Sequence, residues 1–273
     1  MDLIVFDLDG TLLNRHSALS DGTRDTLRRL ADRGIAYTVA TGRTLHAARS
    51  LLEGSDFNLP HIYKNGVMIW RPDTGNYSHS NLLSMHETRS IIEGFIAQGV
   101  TPFIFTIEPH DRHGVYHLPL QTEAEHRLAA HFAAIEGLYV NPVAELPYTA
   151  DITNISALGP LQSISRVHQL VLSEPHLIAY SGAAVEGEDL HWIDIHHSEA
   201  SKGGAIEEIK KDLGVSRVIC FGDSDNDLSM FALADECYAP SNAKDSVKAV
   251  ATAVIGHHDE DGIADFLKQR FGL

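Results

Sequence analysis

Short apolar runs and amphipathic stretches alternate along the first part of the chain. Leu3-Ile4-Val5-Phe6 is a run of strand formers that stops at Asp7. A polar loop follows. Leu27, Leu30 and Ala31 then recur at helical spacing, which predicts a helix near residues 21 to 33 closed by Gly34. Ile35 to Ala40 reads as a second buried strand. Thr44 is a candidate cap for a helix containing Ala47, Ala48, Leu51 and Leu52, and a third strand leads through Ile62 to Asn65. This β-α-β-α-β order predicts a parallel sheet with right-handed crossovers.

The alternation resumes late. Ile206, Ile209 and Leu213 share one face of a helix from about Lys202 to Leu213, Val218 to Phe221 is a buried strand, and a helix follows around Leu228 to Leu233. A further short strand and helix precede a last helix near residues 260 to 271. Between these halves the pattern changes. From about Leu83 to Gly182 it reads helix, two strands, helix, strand, strand, helix, strand. Thr101 to Ile107 and Val115 to Leu118 are expected to be antiparallel neighbours, and helices are expected near 85–98, 122–135 and 161–172. That order suits an α+β layer inserted into an α/β core. The stretch from Pro142 to Pro147 reads as an internal loop, and no repeat or low-complexity segment is visible.

Composition narrows the partners. The 273 residues include 21 Lys plus Arg against 37 Asp plus Glu, a formal charge of −16, with no clustered basic stretch. That disfavours nucleic acid and an anionic membrane surface. A small anionic substrate remains compatible, because a few local charges and a bound cation set its field. Cys220 and Cys237 are too few to be a disulfide framework. Met1-Asp2-Leu3 lacks the basic start of a signal peptide, and no apolar run reaches the ~20 residues that span a bilayer. By exclusion the expected compartment is the cytoplasm, with no obligate protein partner evident.

Chemistry concentrates where strands end, the place at which open α/β sheets bind ligands. Asp7-Leu8-Asp9-Gly10-Thr11 follows the first strand. Its two carboxylates can share a cation or divide nucleophile and acid roles, and a solvated acidic turn is the plainer alternative. Thr41-Gly42-Arg43 follows the second strand. A hydroxyl, an unobstructed N–H and a guanidinium suit phosphate oxygens, or the segment simply turns into the next helix. Lys202-Gly203-Gly204 opens a helix after the strand containing Trp192-Ile193-Asp194-Ile195, and a lysine there adds a cation near the positive end of the helix dipole.

Gly222-Asp223-Ser224-Asp225-Asn226-Asp227 gathers hard oxygen ligands suited to Mg²⁺ after a buried strand. An EF-hand is excluded, since Leu228 and Ala234 occupy the positions that need Gly and Glu. Asn65-Gly66 is either a hairpin turn or a substrate contact. The 17 histidines, His196-His197 and His257-His258 among them, form no HExxH motif and read as surface or cap residues.

Together DLDGT, TGR, KG and GDSDND follow the order and spacing of the haloacid dehalogenase superfamily. The chain resembles its Cof-type phosphatases, the subgroup with a class IIB cap, along essentially its whole length. The resemblance implies a Rossmann-like parallel-sheet core of residues 1–82 and 183–273 with an α+β cap of residues 83–182 that sets specificity. It implies Asp7 as nucleophile and Asp9 as general acid and base. Thr41 and Lys202 would bind the phosphoryl group, and Asn226 would contact phosphate. Gly42 would offer a backbone contact, with Asn65 and Arg43 facing the substrate. Asp223 would hold Mg²⁺ beside the Asp7 side chain and the Asp9 carbonyl, with Asp227 supporting the metal. Asn242 matches a less diagnostic motif.

The physics agrees. An aspartate is ionised at neutral pH and needs no base to attack, but it needs cations to offset the charge of a phosphate dianion. The expected activity is a Mg²⁺-dependent phosphatase acting on small phosphorylated metabolites, with sugar phosphates the leading class. Alternatives are a phosphomutase of the same superfamily and a flavin or pyridoxal phosphate phosphatase. A DxD glycosyltransferase would leave GDSDND unexplained, and the intact acidic motifs disfavour a non-catalytic regulator.

Overall fold

The structure, a computed structural model, describes residues 2–184 and 189–273. Met1 and residues 185–188, on which part of the N-terminal reading and of the 183–273 segment fall, lie outside the described residues. The chain divides into two compact units, residues 1–80 with 200–273 and residues 81–199.

The first unit opens with β1 (Asp2–Phe6), α1 (Asp21–Asp32), β2 (Ala36–Val39), α2 (Leu45–Leu52), β3 (His61–Tyr63), β4 (Met68–Arg71) and β5 (Asn76–His79). The second contains α3 (Met85–Ala97), β6 (Pro102–Glu108), β7 (Arg112–His117), α4 (Glu123–Ala133), β8 (Leu138–Pro142), β9 (Asp151–Pro160), α5 (Leu161–Leu172), β10 (Leu177–Ala183) and β11 (Leu190–His197). The chain returns to the first unit with α6 (Lys202–Leu213), β12 (Arg217–Phe221), α7 (Leu228–Leu233), β13 (Glu236–Pro240), α8 (Asp245–Lys248), β14 (Ala253–Ile255) and α9 (Gly262–Phe271).

The main sheet of the first unit has the order β14-β13-β12-β1-β2, and every pairing is parallel. Its apolar runs are continuous because both faces are covered. Leu3, Val5 and Cys220 pack with Ile206 and Ile209 of α6 and Met230 of α7. The Phe6 and Phe221 rings lie 5.2 Å apart, and Phe221 meets Phe266 of α9. Leu3, Ile4, Val5 and Phe6 are all fully buried. At roughly 1.5–3 kcal/mol for each large apolar side chain, this burial holds the end of β1, and hence Asp7, in place. The parallel register aligns Phe6 with Phe221. The residues that follow both strands therefore emerge together.

The caps sit where the sequence puts them. Thr44 accepts from Ala47 N (3.1 Å) at the start of α2. Gly34 takes the left-handed conformation just past α1. The third strand differs from expectation. Among the described residues, β3 pairs with the main sheet through the isolated bridge Ala40–Ile62, and it pairs antiparallel with β4, which pairs with β5 in a separate three-stranded sheet. Lys64, Asn65 and Gly66 all have positive φ, which reverses the chain before β3 can lengthen.

The second unit is a six-stranded sheet of order β10-β11-β9-β6-β7-β8, antiparallel except for β7 with β8. The strand period divides its faces. Ile104, Ile155, Ile193 and Ile195 pack with Ile91 and Phe95 of α3 and Ile164 and Val167 of α5, while Phe103, Phe105 and Val115 pack with Ala129 and Phe132 of α4. The sequence boundary at 183 moves to about 200. β11 lies between β10 and β9, so the strand with Trp192 and Ile195 belongs to the second unit and does not enter the parallel sheet. Alternation marks a strand but does not say which sheet it joins.

Candidate active site

Asp7 continues the β1 ladder by donating its N–H to Phe221 O (2.9 Å), and its carboxylate is buried. The next residues form a tight loop. Asp9 at φ −77°, ψ 124° and Gly10 at φ 74°, ψ 0° have the angles of a type II turn. Glycine is required twice over at position 10. The left-handed φ favours it, and a Cβ there would lie 2.5 Å from Asp223 Oδ2.

Lys202 is the first residue of α6, whose N-cap Ser201 accepts from Gly204 N (3.0 Å). Its ammonium has no solvent exposure and donates to Asp7 Oδ1 at 2.5 Å and Asp227 Oδ1 at 2.6 Å. Asp227 is equally buried, and its Oδ2 accepts from Asp223 N (2.8 Å) and Ser224 N (3.0 Å). Asp227 thus clamps the lysine on one side and the 222–227 loop on the other. Gly222 makes room for it, since a Cβ there would sit 2.5 Å from Asp227 Cβ. Asp223 accepts from Thr11 Oγ1 (3.2 Å), which ties the two loops together.

Oxygens of Asp7, Asp223 and Asp227 lie within 4.8 Å of one another. Burial, then the charges of Asp227 and Asp223, push Asp7 well above the usual carboxylate range against the pull of Lys202. Burial and Asp227 raise Asp223 to about 6. Burial alone would lower the Lys202 ammonium, but Asp227 and Asp7 together overcome it and hold it charged. Three carboxylates and one lysine leave an excess of negative charge on oxygen ligands alone, a donor set that fits a hard divalent cation.

Asp9 lies apart from this cluster. Its side chain is 53% exposed and both oxygens are held by Arg43, through Nε at 2.7 Å and a terminal nitrogen at 2.6 Å. Thr41 is buried, its hydroxyl accepts from Arg43 N (3.1 Å), and its carbonyl accepts from Asn65 N (3.0 Å). Gly42 is exposed and lies under the Asn65 side chain, which a Cβ would approach to 3.3 Å. Asn65 Oδ1 accepts from Asn226 Nδ2 at 3.0 Å. The Asn65-Gly66 segment therefore is the turn of a hairpin and also brings Asn65 to Asn226. Gly66 permits this, because a Cβ would lie 2.2 Å from Ser201 O.

One member of the acidic cluster departs. Asp225 turns away to Lys244 Nζ (2.7 Å) and Ser246 Oγ (2.8 Å). Two residues join that the motifs did not name for this purpose. Thr11 is the last letter of DLDGT. His258 donates from Nδ1 to Leu13 O (2.7 Å), while its neighbour His257 caps a turn by accepting from Asp259 N (3.2 Å). Only the His-His pair itself could have signalled His258, and it looked like surface.

The chain matches the family model of haloacid dehalogenase-like hydrolases over residues 4–267 and belongs to that family. It is 28% identical over 291 residues to the 5-amino-6-(5-phospho-D-ribitylamino)uracil phosphatase YwtE of Bacillus subtilis, with 98% of each chain covered. It is 25% identical over 277 residues to the pyridoxal phosphate phosphatase YbhA of Escherichia coli, with 97% of each covered. Its fold is similar to that of the HAD subclass IIB sugar phosphatase BT4131, with a TM-score of 0.78 at 21% identity over 100% of this chain and 99% of that one. Among the described residues, no helix is long and apolar enough to cross a membrane.

Proposed function

We propose that this hydrolase is a Mg²⁺-dependent phosphatase of small phosphorylated metabolites and that Asp7 is its covalent nucleophile. The observation that carries the reading is the buried contact of Asp7 with Lys202 beside Asp223 and Asp227. A carboxylate in that position is charged only when cations surround it, and phosphoryl transfer needs the same cations.

Asp7, Asp223 and Asp227, with the Asp9 carbonyl, form the proposed metal site. The ion would supply positive charge to the phosphoryl oxygens and to the nucleophile. Lys202, Thr41, the Gly42 N–H and Asn226 hold the phosphate, with Asn65 orienting Asn226. Arg43 faces the substrate. An Asp7 oxygen forms a bond to phosphorus while the ester P–O bond breaks, and the leaving oxygen takes a proton from Asp9. Water then gives a proton to the Asp9 carboxylate and attacks the acyl phosphate at phosphorus, releasing inorganic phosphate and restoring Asp7. For either proton transfer, Asp9 must exchange at least one Arg43 contact for the reacting oxygen. Its exposure makes that exchange inexpensive.

The substrate class proposed is a primary phosphate ester on a polyhydroxy chain, which sugar phosphates share with the ribityl phosphate named for YwtE. Phosphate release should be measured with sugar phosphates, a ribityl phosphate and pyridoxal phosphate, with and without EDTA. The expected result is Mg²⁺-dependent release that is fastest with a polyol or sugar ester and absent in Asp7→Asn. Turnover that survives EDTA would refute the metal assignment, and an isomerised product in place of free phosphate would make the protein a mutase.

A further inference from the structure

We infer that His258, acting with Asn242, is a positioning residue for the loop that carries Asp7 and Asp9. The inference rests on the reading of those two aspartates as the reacting carboxyls. Bonds within the loop include Leu12 N to Asp7 O (3.3 Å) and Leu13 N to Leu8 O (2.9 Å). These leave the carbonyls of Gly10 and Leu13 to be held from elsewhere. Asn242 Nδ2 donates to Gly10 O at 2.8 Å, and His258 Nδ1 donates to Leu13 O at 2.7 Å. The two anchors are also joined to each other, because His258 N donates to Asn242 Oδ1 at 3.2 Å. That bond fixes which end of the amide faces Gly10. The result is a bracket of two side chains, one between β13 and α8 and one between β14 and α9, closed around the far side of the loop.

The bracket matters because, among the described residues, the loop's other side-chain tethers near its tip are Thr11 to Asp223 (3.2 Å) and Asp9 to Arg43. Neither of those bonds survives unchanged through the proposed reaction. Asp9 must free an oxygen from the Arg43 guanidinium, and Asp223 would engage the cation. The bonds that His258 and Asn242 make to the loop go to main-chain carbonyls that take no part in the chemistry. They can therefore hold the backbone still while the side chains exchange partners. A misplacement of about 1 Å in a reacting group costs on the order of 10²-fold in rate. The phosphate-holding residues Lys202 and Thr41 receive no bond from the bracket, so its loss should affect the chemical step more than binding.

His258→Ala and His258→Asn test this with p-nitrophenyl phosphate as substrate. The Asn Nδ2 occupies the branch position of the His Nδ1, so it can donate to the same carbonyl. The expected result for His258→Ala is a kcat lower by about ten- to hundredfold with KM changed by less than about threefold. His258→Asn should recover most of the kcat. Amide hydrogen exchange supplies a readout independent of turnover. The Leu12 and Leu13 amides should exchange faster in His258→Ala and return toward the wild-type rate in His258→Asn. Wild-type kcat and exchange in His258→Ala would overturn the inference, as would an Asn variant no better than the Ala variant. If the wild-type protein hydrolyses no phosphate ester, the functional reading has failed. The exchange rates then decide the bracket by themselves: faster exchange in His258→Ala upholds it and unchanged exchange removes it.

Discussion

Asp7 and Asp9 stand one residue apart and each meets a basic side chain, yet their surroundings make the two ion pairs opposites. The Asp7 pair is walled in. Lys202 and Asp227 have no exposed side-chain surface and Asp7 has 7%. Its charges have lost their water and depend on one another. The Asp9 pair lies at the surface, with Arg43 25% and Asp9 53% exposed. Its geometry is a two-bonded fork, but water can replace either partner at little cost. The difference teaches how one loop can combine a fixed charge framework with an exposed group, the one proposed to move protons. β1 holds the first in the core, and the type II turn carries the second out of it.

The largest effect should follow from breaking the buried side. Lys202→Met leaves Asp7 and Asp227 facing each other without a counter-charge, and it should cost about 3–5 kcal/mol of stability near neutral pH by chemical denaturation, along with activity. A variant as stable as the wild type would erase the contrast between the two pairs.

The next effect concerns pH. Asp223 titrates near 6 and Asp7 well above its usual range, both chiefly because of burial. A carboxyl whose folded-state pKa is raised keeps protons that the unfolded chain has released. Its contribution to stability is therefore full below about pH 4 and is lost as pH rises through the folded-state value, by on the order of 2–3 kcal/mol for Asp223. The metal-free protein should lose stability from Asp223 between about pH 4 and pH 6, with a further loss above that range from Asp7, and Asp223→Asn should flatten the slope between about pH 4 and pH 6. Added Mg²⁺ should stabilise the protein more at pH 7.5 than at pH 5, because protons compete for the same oxygens. Equal stabilisation at both values would argue against cation binding at this cluster.

The exposed side should respond differently. Arg43→Ala is expected to change stability by less than about 1 kcal/mol while lowering kcat/KM by about tenfold, since Asp9 loses its guide but the buried framework persists. A large loss of stability would show that the two pairs are not opposites. Smallest of all should be Asp225→Ala. Its partners Lys244 and Ser246 are surface contacts, so stability should stay within about 0.5 kcal/mol and turnover near wild type.

These contrasts also mark what could be read from the chain. The end of β1, the cap Thr44, and the meeting of the Asp7 and Asp223 loops follow from local rules. An apolar run must be buried, a parallel sheet aligns its strand ends, and helix starts need acceptors. Long-range choices were less legible. Nothing local to Trp192-Ile193-Asp194-Ile195 says that β11 pairs with β9 and β10. Asn65-Gly66 offered a hairpin turn, but nothing in Ile62-Tyr63 says that β3 leaves the parallel sheet after one bridge. Within GDSDND, burial separates Asp227 from Asp225, and burial belongs to the fold rather than to the hexapeptide. The Asp9–Arg43 fork and the His258 anchor join residues 34 and 245 positions apart, so only the assembled unit reveals them.

The division of labour between Asp7 and Asp9 is tested most directly by trapping the intermediate. Asp9→Asn keeps the shape of the loop and its carbonyl but removes the carboxyl proposed to transfer protons. With p-nitrophenyl phosphate, whose leaving group needs little protonation, the first step should survive better than the second, which lacks its base by about 10²–10⁴-fold. Mass spectrometry of Asp9→Asn mixed with this ester and Mg²⁺ should show a gain of one phosphoryl group, and peptide mapping should place it on Asp7. A label on a serine or histidine, or wild-type turnover by Asp7→Asn in the same assay, would contradict the account.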